Sequence, residues 1–400
     1  MSAVIPRFTN HLPVRITFGD GTATELPGLI AELGARKPVI MVDRGIADLN
    51  PAAGDLLARL NDIPGLVPGV FERPPGEPTS ATVDQAADAV REASPDLIVA
   101  LGGGSVIDTA KAARLCLQLE RPFAEAAAVR ERPEPTVPLI AIPTTAGTGS
   151  EVSGGAVVTN PVSGRKAGIA HPNLRAQYAL VDPVLTTSMT PRMTANTGID
   201  ALAQAIAGVI ASVRTPVAQA IGLEAIRLAG QSLVPAYRDG HDPVARSQMA
   251  CASLMAGLTM NLSDCTAEHA MGQAIASIRE APHGLTVGLV LAETLERERR
   301  FVPGLLELVA DALGEAPDSA RDGRRAVRAV QSILAKLEFP VLSDLGIAGQ
   351  EVDSLADLVM ADPLMALTPE PWSREDVRAA YHAALRLTTR NADTARNHVA

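Results

Sequence analysis

An α/β N-terminal half followed by an all-α C-terminal half is the fold class that this 400-residue sequence predicts. Three observations carry it. Short apolar runs at 38–43, 97–101 and 137–142 read as buried strands, and they alternate with helical periodicity at 84–92 and 106–119. That alternation is the mark of a parallel sheet with crossover helices. After Pro183 the β-branched runs become scarce and amphipathic Ala- and Leu-rich segments follow one another. Finally, 47% hydrophobic and 20% charged residues suit packed domains rather than extended disorder, and the length allows two cores. The expected domains are 1–185 and 186–400, joined near 182–190.

In chain order, the first strong strand closes on Asp43, whose carboxylate can accept bonds from an adenosine ribose or merely cap the next turn. The second runs into Gly102-Gly103-Gly104-Ser105 and then a helix. Glycines there let the backbone approach a ligand, while free amides and the helix dipole favour a phosphate. A tight turn explains one such loop equally well. A second one, Thr144-Thr145-Ala146-Gly147-Thr148-Gly149-Ser150, follows the third strand, and both would leave the same carboxyl edge of the sheet, where nucleotides bind.

In the second half, helices are expected at 195–213, 216–229, 243–260, 266–278, 285–299, 305–313, 319–337 and 374–388. The first carries Asp200 inside a pattern of Ile199, Leu202, Ala203, Ile206, Val209 and Ile210. A lone buried carboxylate costs several kcal/mol, so Asp200 is a metal ligand, a helix-start residue or part of a structural hydrogen bond. His269 and Gln273 lie one turn apart on a later helix, and His283 follows Pro282. Asp200, His269 and His283 make a carboxylate-plus-two-imidazole set suited to a divalent metal with an open position.

Other classes are disfavoured. A net charge of -10 and 2% aromatics argue against binding nucleic acid or an anionic membrane surface. No stretch gives about 18 uncharged apolar residues, and the start lacks a signal-peptide pattern. Cys116, Cys251 and Cys265 are odd in number and scattered, which points to reduced thiols in the cytoplasm.

The sequence resembles the iron-containing (group III) alcohol dehydrogenase family, which shares its fold with glycerol dehydrogenase and dehydroquinate synthase. The similarity rests on Gly-Gly-Gly-Ser-Val-Ile-Asp-Thr-Ala-Lys at 102–111 and Pro-Thr-Thr-Ala-Gly-Thr-Gly-Ser-Glu-Val at 143–152. Shorter matches at 16–21, 198–202, 282–284, 362–363 and 372–377 extend it over nearly the whole chain. The resemblance implies a dinucleotide-binding domain, a helical domain and a metal in the cleft between them. It puts Gly102, Gly103, Gly104 and Ser105 on the pyrophosphate and Thr144, Thr145 and Thr148 along the cofactor cleft. Lys166 and Leu180 become further cofactor contacts, and Asp43 favours NAD over NADP by repelling a 2′-phosphate. Self-association, as a dimer, is also implied.

Two departures from the family pattern stand out. Gln204 occupies the first His ligand position, so the metal set reads Asp200, Gln204, His269 and His283. Gln273 stands where a proton-relay His is common. An amide oxygen is a poor ligand for Fe(II), whereas three ligands plus water suit zinc. The expected reaction is metal-assisted hydride transfer between NAD(H) and a small alcohol or its aldehyde or ketone. The proton would travel through water, a ribose hydroxyl or His171. Arg279, in a segment that lines the substrate pocket of similar enzymes, either clamps an anionic group of the substrate or pairs with Glu280. The alternatives are a lyase or cyclase of the dehydroquinate synthase type and a nucleotide-binding homologue with impaired catalysis.

Overall fold

The computed structural model describes residues 5, 7–159 and 166–387. Its N-terminal half is built on β2 (Pro38–Asp43), β4 (Leu97–Gly102) and β5 (Leu139–Pro143), which are buried along nearly their whole length. Strands covered on both faces belong in a parallel sheet. With β1 (Arg15–Phe18), β3 (Gly69–Arg73) and β8 (Tyr178–Val181) they form six strands in the order β1-β8-β5-β4-β2-β3, all paired in parallel. A separate antiparallel pair, β6 (Gly155–Thr159) and β7 (Lys166–Ala170), follows the second glycine loop.

The helices α1 (Leu26–Glu32), α2 (Ile46–Leu49), α3 (Pro51–Asn61), α4 (Ser80–Ala93), α5 (Gly104–Leu119) and α6 (Phe123–Ala128) lie between the strands. Successive strand residues point to opposite faces. Ile98, Ala100, Leu139 and Ala141 therefore pack with Val83, Val90, Ile107 and Ala113 on one side. Val99, Leu101, Ile140 and Ile142 pack with Leu26, Ile30, Leu56 and Leu60 on the other.

The second half contains α7 (Pro191–Ile210), α8 (Pro216–Arg238), α9 (Pro243–Ser263), α10 (Ala267–Ile278), α11 (His283–Glu298), α12 (Pro303–Ala312), α13 (Arg324–Lys336), α14 (Val352–Met360) and α15 (Arg374–Leu385). Proline opens α7, α8 and α9, and Thr190, Thr215 and Asp242 accept bonds from amides of their first turns. α7 is buried on almost every side and packs against α8, α9 and α11. It is the axis on which the site is hung.

Several expected boundaries move. The third strand begins at Leu139, after Pro138, which has no N–H to give to a ladder. α8 runs on to Arg238 with Pro235 inside it. α13 starts at Arg324 because Gly323 takes a left-handed φ of 79° and Asp318 caps the turn before it. The last helix ends at Leu385, and residues beyond 387 lie outside the described ones. No helix among the described residues is long and apolar enough to cross a membrane.

The two halves meet backbone to backbone. Gly149, with φ +58°, lies on Gly257 of α9, where a Cβ would stand 2.6 Å from the Gly149 Cα. The second glycine loop is thus seated on the helical half.

Candidate active site

β4 and β5 deliver their two glycine loops side by side. The Thr144 amide donates to the Gly102 carbonyl at 3.0 Å, and a Cβ on Gly104 would fall 2.6 Å from Thr148 Oγ1. α5 opens at Gly104, and the Gly103 carbonyl accepts first from Val106 and Ile107, so the amides of Gly104 and Ser105 have no intrahelical acceptor. Such a helix start attracts a phosphate. Beneath it, Asp108 accepts from Ser150 Oγ and from the Val157 amide, and Lys111 Nζ donates to Ser150 Oγ at 2.9 Å and to the Gly155 carbonyl at 2.8 Å. Burial pushes Lys111 down to about 8 and Glu151 up to about 7. This buried network ties the two loops together; the sequence signalled it only through the motifs themselves.

Asp43 ends β2 at the same edge, in register with Arg73 of β3, and the two form an ion pair at 2.5 Å. Sequence reasoning missed Arg73, which is 30 residues away. Leu180 is packed in the apolar cluster between the sheet and α1, so the structure makes it a core residue first. Lys166 opens β7, and its side chain lies outside the described residues.

In the helical half, α7 supplies Asp200, α10 supplies His269 and the start of α11 supplies His283. Asp200 Oδ1 is 3.5 Å from His269 Nε2 and 3.8 Å from His283 Nε2, and one ligand atom from each residue lies within 4.8 Å of the others. The approach needs Gly284, because a Cβ there would collide with the Asn196 carbonyl of α7. Asp200 Oδ1, His269 Nε2 and Gln204 Oε1 are all buried without a hydrogen-bond partner among the described residues. Leaving such atoms unmet is costly, and a cation facing them removes the cost. The donor set of carboxylate and imidazoles therefore fits a divalent metal.

Glu268 holds His269 from behind. Its Oε1 lies 2.9 Å from His269 Nδ1 while the Thr266 amide and hydroxyl donate to the same carboxylate. That arrangement leaves Nε2 directed toward Asp200. Burial alone would raise Asp200, but His283, His269 and Gln204 hold it below the ordinary carboxylate value. Burial would lower His269, but Cys265, Asp200 and Glu268 raise it well above the ordinary imidazole value.

Gln204 differs from its expected place among the ligands. Its Nε2 donates to Asp200 Oδ2 at 3.1 Å, so it braces the carboxylate, and only Oε1 remains to face a metal. Gln273 sits half-buried one turn after His269. Arg279 is paired with Glu351 at 2.7 Å, not with Glu280, and also donates to the carbonyls of Ile278 and Gly346. Its charge is balanced by Glu351, so the partner expected at Glu280 is replaced and an anionic substrate group would compete with Glu351. His171 Nδ1 accepts from the Asn173 amide at 3.1 Å.

A nucleotide edge on one half and a carboxylate–imidazole cluster on the other suit an enzyme that uses a dinucleotide and a divalent metal. The sequence profile of the iron-containing alcohol dehydrogenases matches residues 13–183, and that of the C-terminal part of the Fe-containing alcohol dehydrogenase family matches 194–385. The chain belongs to the iron-containing alcohol dehydrogenase family and is an oxidoreductase interconverting an alcohol and its carbonyl compound. It is 32% identical to the probable alcohol dehydrogenase EutG of Escherichia coli (strain K12), over 94% of each chain. It is 28% identical to the sulfoacetaldehyde reductase of Bilophila wadsworthia, over 94% of this chain and 98% of that one. Among solved structures, a 1,3-propanediol oxidoreductase superposes with a TM-score of 0.90 at 26% identity, covering 94% of this chain and all 100% of that one. Sulfoacetaldehyde reductase from Bifidobacterium kashiwanohense in complex with NAD+ superposes at 0.87 and 28% identity, covering 96% and 100%. These similarities set aside the lyase or cyclase reaction.

Proposed function

We propose that this chain is an NAD(H)-dependent alcohol dehydrogenase or aldehyde reductase for a small substrate, with one divalent ion held by Asp200, His269 and His283. The carrying observation is that buried, unpartnered atoms of Asp200 and His269 converge with His283 on one point. Residues 1–185 would hold the dinucleotide through the two glycine loops and Asp43, and 186–400 the metal. Three protein ligands with an open position favour zinc, while the family's usual iron would have to accept Gln204 Oε1 in place of an imidazole. When bound, the metal supplies polarisation of the substrate oxygen and the dinucleotide supplies the hydride carrier.

The chain's own part is orientation and exclusion of water. Glu268 fixes the His269 ring, Gln204 fixes the Asp200 carboxylate, and the buried walls of α7 and α10 keep the donor atoms dry. Gln273 does not titrate, so it cannot take up or release the reaction's proton as an imidazole there could. A sulfonate or carboxylate on the substrate would have to draw Arg279 away from Glu351, a partly exposed pair worth about 1 kcal/mol or less. Buried free thiols at Cys116 and Cys265 suit a reducing cytoplasm, and the open edge of β1 suits a homodimer.

The test is to strip metal from the purified protein, restore Zn or, without oxygen, Fe(II), and follow NADH oxidation with propanal, 3-hydroxypropanal and sulfoacetaldehyde. Turnover that returns only with metal supports the proposal. NADH binding without turnover on any carbonyl would instead support the impaired homologue.

A further inference from the structure

Asp43 does not stand alone at the carboxyl edge of the sheet. β2 and β3 end in register with Asp43 opposite Arg73, and the Arg44 amide donates to the Arg73 carbonyl at 2.9 Å, so the strand ends are fixed. Arg73 Nη1 reaches Asp43 Oδ1 at 2.5 Å, and Nη2 donates to the Gly76 carbonyl. The guanidinium is the inner partner, with its side chain 3% exposed against 31% for Asp43, and its Nε has no partner among the described residues.

A carboxylate at this edge can reject a 2′-phosphorylated ribose in two ways. It accepts hydrogen bonds from ribose hydroxyls, which a phosphate ester cannot donate, and its negative charge repels the phosphate. The hydrogen bonds need only a free oxygen. The repulsion needs a net charge, and a guanidinium in direct contact removes most of it.

We infer that Arg73 is a specificity determinant of the dinucleotide site: by neutralising Asp43 it narrows discrimination against a 2′-phosphate, so the enzyme accepts NADPH as well as NADH. The inference rests on the reading of this edge as the adenosine ribose site. It also gives Arg73 a role beyond holding two strands together, since a purely structural residue would weaken both dinucleotides alike.

Equilibrium binding of NADH and NADPH to the full chain, read from nicotinamide fluorescence, tests it without knowledge of the substrate. Wild type should prefer NADH by no more than about tenfold, and Arg73→Met should widen the preference to about 100-fold, as expected for uncovering one charge beside a phosphate. Asp43→Asn should leave a net positive edge and invert the preference, favouring NADPH by about tenfold. A wild-type preference above about 1,000-fold, or a ratio that Arg73→Met does not move, overturns the inference. If Arg73→Met does not fold, the wild-type ratio and Asp43→Asn decide. Binding of neither dinucleotide overturns the reading of the edge and the inference with it.

Discussion

Asp200 Oδ1 and His269 Nε2 face each other at 3.5 Å, both buried and neither closing a hydrogen bond with any described residue. Each is a lone-pair atom turned toward the same small space, with His283 Nε2 at 3.8 Å from the carboxylate. Burial would lower His269, but Cys265, Asp200 and Glu268 hold it well above its ordinary value. A divalent cation in that space would give both atoms a common partner.

Glu268→Gln should weaken metal binding by about 10- to 100-fold while leaving the helix intact, because the charged acceptor behind His269 Nδ1 is lost. Competition with a chromophoric chelator reads the affinity directly. An unchanged affinity would mean that the His269 ring is fixed by packing alone.

Gln204→His places an imidazole one turn from Asp200 and removes the amide that now braces Oδ2. Fe(II) affinity should rise by at least about tenfold, as imidazole replaces an amide oxygen near a transition metal. A fall would show that the bracing bond outweighs the added ligand.

Gly104→Ala sets a Cβ 2.6 Å from Thr148 Oγ1 and should prise the two loops apart. The expected result is a rise in the dinucleotide dissociation constant of about tenfold or more, equivalent to about 1.4 kcal/mol. Unaltered binding would place the phosphate elsewhere.

Trp372, the single tryptophan, donates its Nε1–H to Glu298 Oε1 at 2.5 Å. Burial pushes Glu298 up to about 7, with Trp372 and Arg297 pulling it back. Between the ordinary value of 4.5 and about 7 the folded protein keeps a proton that the unfolded chain has released. Stability should therefore fall as pH rises through that window, by roughly 3 kcal/mol. Tryptophan emission should titrate with it, and Glu298→Gln should flatten both curves. A wild-type emission curve flat from pH 5 to about 8 would contradict the assignment.

The division into an α/β and an α half was legible because strands 38–43 and 97–101 are apolar on both faces while α7 repeats with helical period. Asp200, His269 and His283 were legible as a set because a carboxylate in an apolar stripe demands a partner. The edge strands β1 and β3 were not, since they are short and carry Arg15, Glu72 and Arg73 among their apolar residues. Nor were the pairings Asp43–Arg73 and Arg279–Glu351, which depend on strand register and on how α10 meets the turn before α14, not on local spacing. Gln204 reads in the sequence as a ligand position with an amide in place of an imidazole; only the geometry shows its amide nitrogen returning to Asp200.

The most direct test of the metal site is the metal content of the full chain after loading with Zn or Fe(II) and exhaustive dialysis, measured beside His269→Ala with circular dichroism to verify folding. Wild type should retain about one ion per chain and the folded variant less than about 0.1. A full equivalent in the variant, or none in loaded wild type, would contradict a centre built on Asp200, His269 and His283.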